Sequence, residues 1–301
     1  MEAILKDQNQ NELLQQQGYV VIPFLESIEV KELVDYFDKH HPFDIDSMYA
    51  SAHSSDIGYR MQMNNKIIEV FQNGLNKYFD QINPLGGSYI AKGYKVPAIL
   101  RPHQDWNIVD ESVSRSFNLW VPLVDTNQHN GGIMVLPKSH LFSEVFRGPN
   151  ITCAYVNLDD VLVANMQTLN IPAGHALLYD HRLLHASGPN NTNQLRLVAV
   201  FGIIPKGRDM RFYYRENDKL GVYKSQASFF LEQNPQEGPL GLEKLEERPY
   251  HFPAYITDDL VVMAKKNGLT LKMVEKEKEI QPENTLSERK GIIHRLIQWF
   301  K

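Results

Sequence analysis

A change of patterning constrains this chain most. From about Ser88 to Ile204 the apolar residues fall into short runs broken by turn residues, whereas the segments before them repeat at helical spacing. Ser116 to Val124 alternates, with Phe117, Leu119, Val121 and Leu123 on one face and Asn118 and Trp120 on the other, as a strand between two environments does. Gly131-Gly132 precede Ile133-Met134-Val135-Leu136, which Pro137 stops, and Ala173-Gly174 lead into Ala176-Leu177-Leu178-Tyr179. Arg196 to Ile204 is rich in β-branched residues, which pack well on a pleated surface. Many short strands at such spacing imply a mainly β sandwich or small barrel, with its helices before the strands rather than between them.

Those helices are legible too. Leu13-Leu14 belong to a short helix beginning near Asn11, which leads into a strand at Gly18 to Pro23. Ser27 is placed to cap the next helix, whose Val30, Leu33, Val34 and Phe37 share a face. A second amphipathic helix is expected from about Asn65, with Ile67, Ile68, Phe71, Leu75, Tyr78 and Phe79 inward. After Arg215 the pattern is less regular, with aromatic groups at Phe229-Phe230 and Tyr250-His251-Phe252. Residues 1–255 are expected to form one domain, and 256–301 a C-terminal extension. In that extension a charged stretch from Glu275 to Glu288 precedes Arg289 to Lys301, where Ile292, Ile293, Leu296, Ile297, Trp299 and Phe300 suit a basic amphipathic helix able to meet a membrane surface or a partner.

Composition removes several function classes. A formal charge of −5 gives no general attraction for nucleic acid. Cys153 is the only cysteine, so no intrachain disulfide is possible, which fits a reducing compartment. The N-terminus lacks the basic and apolar run of a signal peptide, and no apolar stretch approaches the roughly 20 residues that span a bilayer. A cytoplasmic protein is expected; its oligomeric state is not specified.

Chemistry concentrates in His103-Gln104-Asp105, His185 and Arg196. Two imidazoles and a carboxylate are the ligand set of the facial triad that leaves open positions on a non-heme Fe(II). His103 and Asp105, two apart on a strand or strand end, project to one face. The second histidine must come from a distant strand: His185 follows the run Ala176 to Asp180, and His181, four residues earlier, is its rival. Arg196 opens the next strand, and a guanidinium fork grips a carboxylate bidentately, as the far end of 2-oxoglutarate requires. Ser187 can add a hydroxyl hydrogen bond there, and Trp120 and Asn118 can wall the same space. His140 reads as a turn histidine bonded within its own loop, and Tyr179 as a core residue.

The chain resembles the phytanoyl-CoA dioxygenase family of Fe(II)/2-oxoglutarate oxygenases. The resemblance runs through Gly18-Tyr19-Val20-Val21-Ile22-Pro23, Pro102-His103-Gln104-Asp105, Leu119-Trp120-Val121-Pro122-Leu123-Val124-Asp125, Asn130-Gly131-Gly132-Ile133-Met134-Val135-Leu136-Pro137-Lys138-Ser139-His140, and His185-Ala186-Ser187-Gly188-Pro189-Asn190 with Arg196. It implies a double-stranded β-helix (jelly-roll, cupin-like) core with flanking helices. It also implies decarboxylation of 2-oxoglutarate to succinate, coupled through O2 to hydroxylation of an unactivated C–H, with ascorbate as a possible reductant. By the same resemblance His103, Asp105 and His185 are the iron ligands, and Arg196, Ser187 and Trp120 the 2-oxoglutarate contacts. Two positions depart from the pattern: His175 stands where an acidic residue is usual, and Lys138 where a glycine is.

The implied substrate is a small molecule or a carrier- or lipid-linked group. Its specificity is expected to lie in residues 40–65, 106–115 and the region after Phe212, with Arg60, Arg101 and Arg115 as candidate anion contacts or, more plainly, surface and salt-bridged residues. A halogenase is disfavoured because Asp105 fills the position a halide would need. A zinc hydrolase on the same ligands would leave Arg196 and Ser187 without a role. A catalytically silent cupin-like binding protein or sensor is the remaining alternative.

Overall fold

The computed structural model describes residues 2–142 and 144–274. The charged stretch from Glu275 and the basic segment Arg289 to Lys301 lie outside the described residues. The helices are α1 (Gln8–Gln17), α2 (Ser27–His40), α3 (Ile57–Tyr78), α4 (Asp159–Asn165), α5 (Ala227–Glu232) and α6 (Thr257–Lys266). The strands are β1 (Tyr19–Pro23), β2 (Met48–Ala50), β3 (Ile82–Lys92), β4 (Leu100–His103), β5 (Phe117–Pro122), β6 (Ile133–Val135), β7 (Gln167–Thr168), β8 (His175–Asp180), β9 (His185–Ser187), β10 (Arg196–Pro205), β11 (Met210–Glu216), β12 (Lys219–Ser225) and β13 (Lys244–Pro249).

Three antiparallel sheets result: β1-β8-β5-β10-β3-β2, β4-β9-β6-β7 and β11-β12-β13. From β4 to β10 the chain passes back and forth between the first two sheets, which makes the core a double-stranded β-helix. The alternation in β5 serves this layering. Phe117, Leu119 and Val121 pack outward with Phe71, Ile67 and Met63 of α3 and Leu33 and Phe37 of α2. Trp120 points the other way, into the layer formed with Ile133, Val135, Leu177, Tyr179 and Val198 between the two sheets. The site lies in this inner layer.

Several boundaries differ from the sequence reading, each for a local reason. The first helix starts at Gln8, capped by the Asp7 carboxylate accepting from Gln10 N–H. Ser27 is the first helical residue of α2 rather than its cap. Glu26 takes the cap, and its N–H donates to the Glu29 carboxylate at 2.8 Å. Helix α3 begins two turns before Asn65 because Asp56 accepts from Tyr59 N–H at 3.1 Å; Gly58 hides those turns in the sequence. Helix α4 sits between β6 and β7, so not every helix precedes the strands. The region after Arg215 is ordered: β11 and β12 form a hairpin through Asn217 at φ 60°, with β13 added at its edge. Aromatic residues on both faces of that hairpin hide the alternation, since Tyr213 packs with Ile151 and Tyr250 while Phe212 packs with Phe229. Helix α6 buries Leu260 against Leu136, Leu162 and Leu184.

Lys138, where the resemblance leads one to expect glycine, sits at φ 65° at the start of a 3-10 turn. An L-residue in that left-handed conformation costs roughly 1–2 kcal/mol, part of which glycine recovers. Lys138→Gly is therefore expected to raise stability by about 0.5–1 kcal/mol in a denaturant melt. A lower midpoint would mean that the lysine stem contributes packing that outweighs the strain.

Candidate active site

Strands β4 and β9 pair so that His103 lies directly opposite His185, with ring centroids 4.2 Å apart. Asp105 follows as β4 ends, its N–H donating to the His181 carbonyl at 2.9 Å. Ligand atoms of His103, Asp105 and His185 all fall within 4.8 Å of one another. Both histidines use Nδ1 on a backbone carbonyl two residues earlier, Arg101 O at 2.8 Å and Leu183 O at 2.9 Å. A donating Nδ1–H leaves the Nε2 lone pair free for a metal.

Asp105 is oriented by side chains instead. Its Oδ2 accepts from Asn118 Nδ2 at 2.7 Å and from the Tyr179 hydroxyl at 2.9 Å. Its Oδ1 stands 3.8 Å from His185 Nε2. Burial alone would raise the Asp105 carboxyl, but the fields of His185, His181 and His103 and the Tyr179 hydrogen bond outweigh it and hold the group well below the usual carboxylate range. Burial, then the charge of His185, pushes His103 down to about 4. Burial and the nearby Asp105 raise the Tyr179 phenol well above its ordinary value, so it remains a donor. At neutral pH the set is one carboxylate and an uncharged His103, the form that binds a divalent cation. These residues fit a metal.

Outer partners of a metal ligand are worth about 10–100-fold in affinity or activity. Asn118→Ala and Tyr179→Phe are each expected to weaken divalent-metal binding by about tenfold, read by competition with a chromogenic chelator. Unchanged affinity in both variants would remove Asn118 and Tyr179 from the site's machinery.

A pocket of about 120 Å³ opens beside the triad, lined among others by Asn118, Trp120, Tyr179, Ser187 and Arg196. Arg196 is only 2% exposed and lies 5.5 Å from the centre of the Trp120 ring. Its buried Nε has no hydrogen-bond partner, and among the described residues no carboxylate pairs with it. Burial pushes it down to about 10. A buried guanidinium without an anion is costly, and this one lines the pocket. Asn118 lines this pocket and its amide also donates to Asp105 Oδ2.

His181, the rival second histidine, stays outside the cluster. Its Nδ1 lies 3.0 Å from Ser116 Oγ, and it packs behind Asp105. His140 bonds not within its own loop but to Gln15 O of α1, at 3.0 Å. Arg60 is buried rather than a surface residue, and donates to Gln233 O and Glu232 O at the end of α5. Arg101 pairs with Asp159, and Arg115 donates to its neighbours' carbonyls. Two residues in or beside the site escape sequence reasoning. Tyr179 stands opposite Asn118 in the β5–β8 register, and Lys92 is a lysine closing the apolar run Tyr89-Ile90-Ala91.

The segment after Asp105 is held by Arg147, which donates to Asp105 O at 2.5 Å and pairs with buried Glu111. It borders a second cleft of about 430 Å³ lined by Asn107, Asp110, Glu111, Arg211, Tyr213 and Arg248, among others. The segments 106–115 and the region after Phe212 thus meet at one cavity. Among the described residues no helix is long and apolar enough to cross a membrane.

A double-stranded β-helix carrying two histidines and an aspartate between its sheets defines the class: a single-metal cupin-like protein. The chain matches the phytanoyl-CoA dioxygenase (PhyH) family over residues 14–198, more than half its length, and it belongs to that family. Among solved structures it is similar to the epimerase SnoN, in a complex with Fe3+, alpha ketoglutarate and nogalamycin RO, at 18% identity and a TM-score of 0.50, covering 83% of this chain and 94% of SnoN. AviO1 from Streptomyces viridochromogenes Tue57 is 17% identical with a TM-score of 0.48, over 69% of this chain and 98% of its own. HygX from Streptomyces hygroscopicus, with nickel, 2-oxoglutarate and hygromycin B bound, is 15% identical with a TM-score of 0.45, over 67% and 88%. Among curated proteins no match is found. The likeness to SnoN is one of fold.

Proposed function

We propose that this chain is an Fe(II)- and 2-oxoglutarate-dependent dioxygenase that hydroxylates an unactivated C–H of a small-molecule or carrier- or lipid-linked substrate. One observation carries the reading: a two-histidine, one-carboxylate cluster shares its pocket with a buried arginine that no carboxylate among the described residues neutralises. His103, Asp105 and His185 would hold the iron, which when bound supplies O2 activation through open coordination positions.

The remaining steps belong to the protein's own residues. Asn118 and Tyr179 occupy Asp105 Oδ2, which would leave Oδ1 for a bound metal. Arg196 grips the far carboxylate of 2-oxoglutarate, Ser187 adds a hydroxyl donor, and Trp120 covers the guanidinium face. The cleft beside Asn107 is the space we assign to the substrate body. SnoN, with this fold, is an epimerase; a product one oxygen heavier than its substrate would distinguish hydroxylation from that outcome. Asp105 supports oxygen insertion over halogenation, because the carboxylate keeps the position a halide would take.

Aerobic incubation with Fe(II), ascorbate and 2-oxoglutarate, following succinate, tests the reading. Succinate formed above the metal-free control is expected, rising when the true substrate is present. Its absence both alone and with a broad substrate panel would favour the silent binding protein instead.

A further inference from the structure

Lys92 lies directly opposite Arg196 in the β3–β10 ladder, and both side chains are buried. Like charges directly opposite on a sheet repel, and a buried cation without a counter-ion is costly. Burial, together with the charge of Arg196, pushes the Lys92 ammonium down to about 7. Among the described residues neither cation has an acidic partner. Such an arrangement opposes stability, and an anion would relieve it.

The lysine's hydrogen bonds point to what it does. Lys92 Nζ donates to Ser187 Oγ at 2.6 Å and to Gly188 O at 2.6 Å. In its charged form, which an anion bound nearby favours, Lys92 has three donors and no acceptor, so Ser187 Oγ accepts this bond and its own O–H must be directed elsewhere. Ser187 and Arg196 line the triad's pocket, whereas Lys92 stands behind Ser187. The loop at Gly131 closes over the lysine stem: a Cβ there would lie 2.9 Å from Lys92 Cδ and 2.7 Å from Gly188 O, at φ 71°. The stem is thereby packed closely under this loop.

We propose that Lys92 is a positioning residue for the far carboxylate of the co-substrate, turning the Ser187 hydroxyl into the pocket as a donor and adding a second positive charge behind it. The proposal rests on the reading of Arg196 and Ser187 as the 2-oxoglutarate site. The far carboxylate then meets a donor set of one guanidinium and one hydroxyl polarised by an ammonium, a set selective for a 2-oxo acid with a second carboxylate over one without.

Calorimetric titration of the Mn(II)-loaded protein tests this without turnover. The ligands are 2-oxoglutarate and 2-oxopentanoate, which lacks the far carboxylate; the weaker is measured by displacement. Lys92→Met is expected to weaken 2-oxoglutarate by about tenfold or more, the scale of one lost charge-assisted bond. It should leave 2-oxopentanoate within about twofold and Mn(II) affinity unchanged, since neither engages the far-carboxylate position. Should that variant not fold, Lys92→Gln, which keeps a donor to Ser187 but no charge, is expected to show a smaller loss with the same selectivity. Equal losses for both ligands, or none for either, would overturn the proposal and leave Lys92 a structural residue. Wild-type protein that binds no 2-oxoglutarate would instead overturn the underlying site assignment, an outcome visible before any variant is made.

Discussion

Asp105→Ala is expected to abolish succinate formation and to weaken metal binding by more than the roughly 10–100-fold that loss of an outer partner costs. The carboxylate is the only anionic ligand in the cluster, so its removal takes away both a bond and the charge that balances a divalent cation. The variant also leaves Asn118 Nδ2 and the Tyr179 hydroxyl without their shared acceptor, so both donors lose the group they orient. Chelator competition reads the affinity and succinate the turnover. A variant that kept wild-type succinate production would exclude Asp105 from the metal site and sink the triad assignment. Circular dichroism should be unchanged, because the core layers around Asp105 are apolar and do not depend on it.

Arg196→Ala should act differently. Truncating one partner of a buried, hydrogen-bonded charge pair costs about 2–5 kcal/mol, and each 1.4 kcal/mol is tenfold. The apparent KM for 2-oxoglutarate is therefore expected to rise by about 100-fold or more, while kcat at saturating co-substrate falls far less. Arg196→Lys should rescue only part of the loss, since an ammonium cannot form the bidentate fork. A fall in kcat at constant KM would place Arg196 elsewhere in the mechanism. Ligand-free Arg196→Ala is also expected to melt no lower than the wild type, because it removes a buried cation that has no counter-ion among the described residues and stands opposite Lys92.

How much of the molecule is legible in its sequence depends on whether each feature is local. His103 and Asp105 are two apart, a spacing that suggests one face, though Asp105 lies just past the end of β4 and is held there by its N–H on the His181 carbonyl. The alternation of Phe117 to Leu123 announces a strand with two different faces, and both faces are packed. In the sequence His185 is separable from His181 only by the Ser187-Gly188-Pro189-Asn190 run on its C-terminal side. The structure supplies the reason in three dimensions, with His185 opposite His103 and His181 turned to Ser116. Tyr179 and Lys92 are hidden because their roles depend on register between distant strands. Tyr179 matters because it faces Asn118, and Lys92 because it faces Arg196. Asn118 is recognisable as a pocket residue, but its amide serves the metal ligand. The periodicity starts helix α3 too late because Gly58 conceals a beginning that Asp56 caps. The β11–β13 sheet is invisible to the same reading because aromatic residues on both faces erase the period of two.

The way the two histidines are held sets where this centre can change. Each imidazole is fixed by a carbonyl of its own chain two residues earlier. A substitution at position 101 or 183 replaces a side chain and leaves that carbonyl in place. The tautomers are therefore insulated from point mutation, while the carboxylate ligand is fixed by two replaceable side chains. Adjustment of metal preference or reactivity by natural drift or by design therefore falls on the carboxylate's side-chain partners, Asn118 and Tyr179 first among them.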